Sequence, residues 1–106
     1  MFTCEVKSED ELQSCFVVCK GSLGINAAGY FEDRLPVVLE TMSEVEFDFR
    51  DVQQIDPDGA ALLLRLVKSL RGQQIVVRIR GMAPLPMISL LLLKIPDQIG
   101  SELFEN

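Results

Sequence analysis

Apolar and polar positions alternate along much of this chain, and the period of the alternation changes from two to that of a helix and back. Residues 2–7 set Phe2, Cys4 and Val6 against Thr3, Glu5 and Lys7, as a short edge strand does. Residues 8–11 form a polar turn. Residues 15–20, Cys15-Phe16-Val17-Val18-Cys19-Lys20, are nearly all apolar, rich in β-branched and aromatic side chains, and stop at Gly21. That composition predicts a buried strand, paired with the first as a hairpin.

A loop follows at Gly21-Ser22-Leu23-Gly24-Ile25-Asn26, with Asn26 placed to cap a helix. Over residues 27–42, Tyr30, Phe31, Leu35, Val38, Leu39 and Met42 recur at helical spacing. Pro36 lies inside that stretch. It has no amide hydrogen and its ring crowds the preceding turn, so the helix should kink or break there. Val45, Phe47 and Phe49 alternate with Glu46 and Asp48 in a third strand over residues 45–49, followed by a connection over 50–56.

The next helix announces its own start. Asp56 can accept a hydrogen bond from an amide of the first turn, Pro57 suits the first helical position, and Asp58 places negative charge at the positive end of the dipole. Residues 60–70 are strongly apolar, with Arg65, Lys68 and Arg71 facing out and Gly72 closing the helix in the left-handed position. Residues 74–80 alternate Ile75, Val77 and Ile79 against Val76, Arg78 and Arg80, a strand with one wet face. Pro84 and Pro86 open a last helix near residues 85–93, which Ile95-Pro96 ends. This helix is apolar enough to be expected in the core; any exposed part of it favours dimerisation. The acidic tail, residues 97–106, reads as a short docked strand or a loose end.

Strands alternating with helices predict an α/β domain with a mixed, mostly parallel sheet, an N-terminal β-hairpin and three to four helices. At 106 residues the chain is one domain, with no internal repeat and no linker.

Charge and composition narrow the function. A net charge of −6 repels phosphate backbones and argues against nucleic acid as a partner. Arg65, Lys68, Arg71, Arg78 and Arg80 form the densest basic set, read either as a solvated face or as a small basic patch. The apolar run 87–95 is far short of the roughly 20 residues of a membrane helix, so no insertion is expected. The N-terminus lacks a signal-peptide pattern, and three cysteines without one point to free thiols in a cytoplasmic setting. Cys15 and Cys19 fall on one face of a strand, about 13 Å apart at about 3.3 Å per residue, too far to bridge each other. Buried packing is the expected role for them.

The chain contains no histidine, which removes histidine-based acid–base, triad and metal chemistry. Gly21-Ser22-Leu23-Gly24 lacks the Lys-Ser/Thr of a phosphate loop. Asp48, Asp51, Asp56 and Asp58 could together hold Mg²⁺, as in a phospho-accepting receiver. A receiver also needs an acidic pair after its first parallel strand and a lysine after a later one; here stand Gly24-Ile25-Asn26 and Arg80-Gly81. No catalytic residue, metal or cofactor is therefore assigned.

The segment Phe47-Asp48-Phe49-Arg50-Asp51-Val52-Gln53-Gln54-Ile55-Asp56-Pro57-Asp58-Gly59-Ala60-Ala61-Leu62 resembles the signature of the STAS domain family. In that signature an Asp-containing apolar strand runs through a loop into Asp-Ser-Ser-Gly and an apolar helix. Val17-Val18-Cys19-Lys20-Gly21-Ser22-Leu23 is similar to the family's strand ending in Gly-x-Leu-Asp, and residues 74–81 with the proline-rich helix start fit its last strand and helix. The resemblance covers about residues 10–96 and is nearest to the anti-sigma factor antagonists. It implies a non-catalytic bacterial signalling module that binds a regulatory protein, an anti-sigma factor or its kinase, and acts in transcription control. The partner-binding residues it implies are Gln54, Ile55, Asp56, Pro57, Asp58, Gly59 and Ala60. The family's phosphoacceptor falls on Asp58 and the position before it on Pro57, so neither carries a hydroxyl; Gly24 stands where the family has Asp. Switching by Ser/Thr phosphorylation is thus expected to be absent. Asp56 and Asp58 have a simpler reading as helix-start residues, and Gly59 is expected at a close backbone approach or a tight turn. A second reading is a STAS-type accessory subunit bound to the ATPase of a lipid-asymmetry ABC transporter, since Gly59-Ala60-Ala61-Leu62-Leu63-Leu64 resembles that subfamily's helix. Homodimerisation is a further arrangement.

Overall fold

The computed structural model describes residues 1–9 and 13–105. Five strands form one mixed sheet in the order β1 (Phe2–Glu9), β2 (Ser14–Leu23), β3 (Glu44–Ile55), β4 (Val76–Arg80), β5 (Phe104–Glu105). β1 runs antiparallel to β2, and every later pairing is parallel. Among the described residues, four α-helices accompany the sheet: α1 (Leu35–Leu39), α2 (Pro57–Gly72), α3 (Pro84–Leu92) and α4 (Ile95–Ile99). The expected class, a mostly parallel α/β sheet with an N-terminal hairpin, is what the chain adopts.

One face of the sheet is dry. Cys15 pairs with Val45 and Val45 with Val77; Val17 pairs with Phe47 and Phe47 with Ile79. All are buried, together with Leu62, Leu63, Leu66 and Leu70 of α2. Burying one such side chain stabilises the fold by about 1.5–3 kcal/mol, so this inner row holds the sheet against α2. The opposite face carries Glu44, Glu46, Arg78 and Arg80. There Arg78 meets Glu44 at 2.6 Å and Glu105 at 3.6 Å, and Arg80 meets Glu46 at 3.4 Å. Arg65 pairs with Glu32, and Arg71 donates to the carbonyl of Ile99. The basic set is thus distributed over α2 and β4 and largely paired, and it forms no single patch.

Several boundaries differ from the expectation, each for a local reason. The turn expected at residues 8–11 lies partly outside the described residues, and β1 continues through Ser8 and Glu9. β2 runs on past Gly21, whose φ of +100° a glycine tolerates, to Leu23. The connection expected at 50–56 is strand as far as Ile55. β3 carries an extra residue relative to β2 twice, between Val18 and Lys20 and between Gly21 and Ser22 of β2. The bulges change the spacing of inward positions from two to three, so Phe49, Val52 and Ile55 all reach the core.

The long helix expected over 27–42 is broken into a 3₁₀ turn at Ile25–Ala27, a π-helical segment at Gly29–Arg34 and α1, with Pro36 in the first turn of α1. The missing amide of Pro36 is accommodated where the winding changes. Asn26 lies inside the 3₁₀ turn and caps nothing; Gly24 holds the N-cap position. Gly72 is the last residue of α2, and the left-handed conformation falls instead on Gln74, φ +64°. Ile95-Pro96 begins α4 after a left-handed Lys94, and the tail is docked, β5 pairing with β4.

Candidate functional site

The carboxyl ends of β2 and β3 meet the start of α2, and the contact is backbone to backbone. Leu23 pairs with Ile55, and the Leu23 carbonyl accepts the amide of Asp56 at 3.1 Å. Asp56, extended at φ −91° and ψ 174°, is the N-cap: its Oδ1 accepts the amide of Gly59 at 2.8 Å and its carbonyl accepts that of Ala60 at 2.9 Å. Pro57 occupies the first turn, where no amide is missed, and Asp58 adds charge at the positive end of the dipole.

Two glycines allow this seam to close. A Cβ on Gly59 would fall on the carbonyl oxygen of Leu23 and 2.6 Å from its carbon. A Cβ on Gly24 would stand 2.6 Å from Asp56 Oδ2. Gly59 is therefore required by close approach to β2; its φ is not positive.

Exposure divides the expected partner-binding set. Gln54, Asp56, Pro57 and Asp58 are exposed at the mouth of α2. Ile55, Gly59 and Ala60 are buried and hold the mouth in place from below, so their side chains offer no surface to a partner. The four aspartates do not converge. Asp48 accepts the amide of Arg50 at 2.9 Å further back along β3, Asp56 is engaged as the cap, and among the described residues no three carboxylates or thiols group as metal ligands. The Mg²⁺ arrangement weighed from the sequence is not formed.

An apolar surface adjoins the mouth. Gln53, Gln54, Ile55 and Asp56 form one wall of a groove of about 310 Å³, and Leu85, Ile88 and Ser89 of α3 form the other. On α3 only Pro86 and Leu90 are buried, while Leu85 is 71% and Leu92 78% exposed, with Ile88 and Leu91 about half exposed. The expectation that this helix is core is corrected: it is too short and too apolar all round to bury more than one stripe, and its remaining leucines face solvent. Composition alone could not reveal this, because Ser89 is the one polar side chain of α3 and a single such residue does not mark an outer side.

The third cysteine is the other feature the sequence left unread. Cys4 pairs directly with Cys19 across the β1–β2 hairpin, with their sulfurs 3.5 Å apart, and Cys15 stands alone in the core. Among the described residues no helix is long and apolar enough to cross a membrane.

The STAS domain model matches residues 4–106. No curated protein matches the sequence. Among solved structures, a sulfate transporter family protein from Wolinella succinogenes superposes with a TM-score of 0.79 at 19% identity, covering 89% of this chain and 77% of that one. An anti-sigma factor antagonist from Mycobacterium paratuberculosis gives 0.77 at 16%, covering 94% and 84%. The Bacillus cell fate determinant SpoIIAA in its phosphorylated form gives 0.68 at 13%, covering 100% and 91%. Sequence match and sheet topology agree, and the chain belongs to the STAS domain family.

Proposed function

We propose that this chain is a non-catalytic interaction module of the anti-sigma factor antagonist kind, binding a regulatory protein partner through the mouth of α2 and the adjoining face of α3. The observation that carries this reading is the juxtaposition of exposed Asp56 with the exposed Leu85 and Ile88 across one groove, with the exposed Asp58 two residues on in the first turn of α2. Apolar side chains left in water beside fixed negative charge fit a partner surface of complementary make-up, apolar with a basic rim. An anti-sigma factor or its kinase is the partner class that the family resemblance favours. The mouth carries Pro57 and Asp58 and no hydroxyl, so its charge is constant and a kinase has no acceptor there.

The test is titration calorimetry of the full chain against a purified anti-sigma factor kinase from the same organism. Asp58→Lys and Leu85→Glu should each weaken binding by about tenfold or more, about 1.4 kcal/mol, while Glu40→Lys, at an exposed position just past α1, should not. Unchanged affinity in both site variants refutes the surface. Asp58→Ser should keep the fold and gain phosphate when the kinase and ATP are supplied; failure to gain it removes the inherited-switch argument. A transporter ATPase that binds through the same face in the kinase's place would establish the accessory-subunit reading, and a salt-insensitive dimer in sedimentation would assign the α3 face to a second copy.

A further inference from the structure

We infer that Cys4 and Cys19 are a modification site: hydrogen peroxide converts the two thiols to an intramolecular disulfide that staples the edge strand β1 to β2. The two residues are direct register partners. Opposed residues of antiparallel strands have Cα atoms about 4.5–5.5 Å apart, within the range of about 4.4–6.8 Å that a disulfide spans. With the sulfurs already 3.5 Å apart, closing to a bond of about 2 Å requires small movements of the two side chains and no change of register. Cys15 pairs with Ser8 and has no sulfur opposite it.

The two thiols differ in access. Cys19 has no exposed surface. Cys4 is half-buried and lines a surface cavity of about 250 Å³ with Val6, Tyr30, Arg34 and Leu35. That volume is several times the roughly 30 Å³ of a water molecule, so a small peroxide reaches the Cys4 sulfur and not the Cys19 sulfur. The Cys19 thiol is pushed up by its hydrogen bond with Cys4 first, then by burial, then by the charges of Cys4 and Asp48. Cys19 therefore stays protonated and acts second.

The order of events follows. The Cys4 thiolate attacks one peroxide oxygen; the S–O bond forms, the O–O bond breaks, and the departing hydroxide takes up the proton Cys4 released, leaving as water. The sulfur is now a sulfenic acid. The Cys19 sulfur attacks Cys4 Sγ; the S–S bond forms, the S–O bond breaks, and the departing hydroxide leaves as a second water with the proton of Cys19. Two thiols are oxidised and one peroxide is reduced to two waters.

The experiment treats the reduced full chain with stoichiometric hydrogen peroxide, alkylates remaining thiols under denaturing conditions and maps the peptides by mass. Two of the three thiols should be lost, with Cys4 and Cys19 recovered in one linked peptide of a monomeric chain, and dithiothreitol should restore both. Cys4→Ser, at a half-buried edge position, should abolish the linked peptide, whereas Cys15→Ala should leave it. Recovery of Cys4 as sulfinic acid with Cys19 still alkylatable, a link between copies, a link to Cys15, or no thiol loss where free cysteine is oxidised would each overturn the assignment. This site is independent of the partner surface, so the outcome stands whatever binds at the mouth of α2.

Discussion

Gly59→Ala tests the seam on which the site is built. The added methyl meets the carbonyl oxygen and carbon of Leu23, which are backbone and cannot rotate away as a side-chain end would. Relief requires that the start of α2 lift from the end of β2. Overpacking of this kind costs about 1–3 kcal/mol. Lifting also strains the bond from the Asp56 amide to the Leu23 carbonyl, a contribution of about 1 kcal/mol, and the Asp56 cap, about another 1 kcal/mol. Not all of these are lost in full, and a net destabilisation of about 3 kcal/mol is expected, a large share of the roughly 5–15 kcal/mol of a small domain. At about 4–8 °C per kcal/mol, Tm should fall by more than about 10 °C. Urea unfolding followed by far-ultraviolet circular dichroism measures it. Gly72→Ala is the matched control: nothing lies within 4 Å of its would-be Cβ, and a helix gains up to about 1 kcal/mol from the exchange. If Gly59→Ala unfolds within about 0.5 kcal/mol of the parent, the close approach does not govern this position and the account of the seam is wrong.

Two more predictions rest on the cap of α2 and on the buried thiols. Asp56→Ala should cost about 1 kcal/mol through the lost cap; Gly24→Ala should cost a similar amount, because its methyl displaces the carboxylate that makes the cap, and the double variant should cost clearly less than the sum in a urea-based mutant cycle, full additivity being the result that breaks the link. Stability should also fall in alkali. The thiols of Cys15 and Cys19 are raised in the folded chain, Cys15 by burial from the ordinary 9.0, so their contribution is complete below pH 9 and is lost as pH rises and the unfolded chain ionises. Stability should therefore decline above pH 9, and Cys15→Ala should make that decline shallower in urea unfolding measured at a series of pH values; parallel profiles for parent and variant would refute it.

What the sequence disclosed, and what it withheld, depends on whether a signal is local. The start of α2 was legible because Asp56-Pro57-Asp58 each have a positional reason that needs no tertiary partner, and β4 was legible because its alternation is unbroken. The second half of β3 was not. Its inward residues Phe49, Val52 and Ile55 are spaced by three because bulges absorb one residue each against β2, and a bulge is a property of two strands at once. The same holds for Cys4: its partner is fixed by the hairpin register, whereas spacing along one strand compares only Cys15 with Cys19. The exposure of α3 was hidden for a different reason, since a helix apolar on all sides does not mark which side another element covers. Within the site, residue identity revealed the cap, but only the approach of Leu23 to Gly59 divides the segment into buried supports and an exposed rim.

That division bears on regulation. A hydroxyl at the mouth of α2 would let a phosphate raise or remove negative charge at a helix N-terminus, where the dipole amplifies its effect. This chain places Pro57 and Asp58 there, holds Asp56 as a cap, and contains no histidine whose charge changes near neutrality. On the proposed reading, the mouth therefore offers a kinase no Ser or Thr at these positions, and its charge does not depend on one. If the mouth binds a partner as proposed, control of binding would come from the amount of protein, from the partner's own state, or from chemistry elsewhere on the domain. The disulfide proposed for Cys4 and Cys19 would be such chemistry. It lies on the hairpin at the opposite edge of β2 from β3, so oxidation would stiffen β2, whose last residue Leu23 carries the seam with Asp56 and Gly59. A measured change in partner affinity on forming that disulfide, with the mouth itself unaltered, would connect the two; the same affinity in both redox states would show that the staple serves the stability of the edge strand alone.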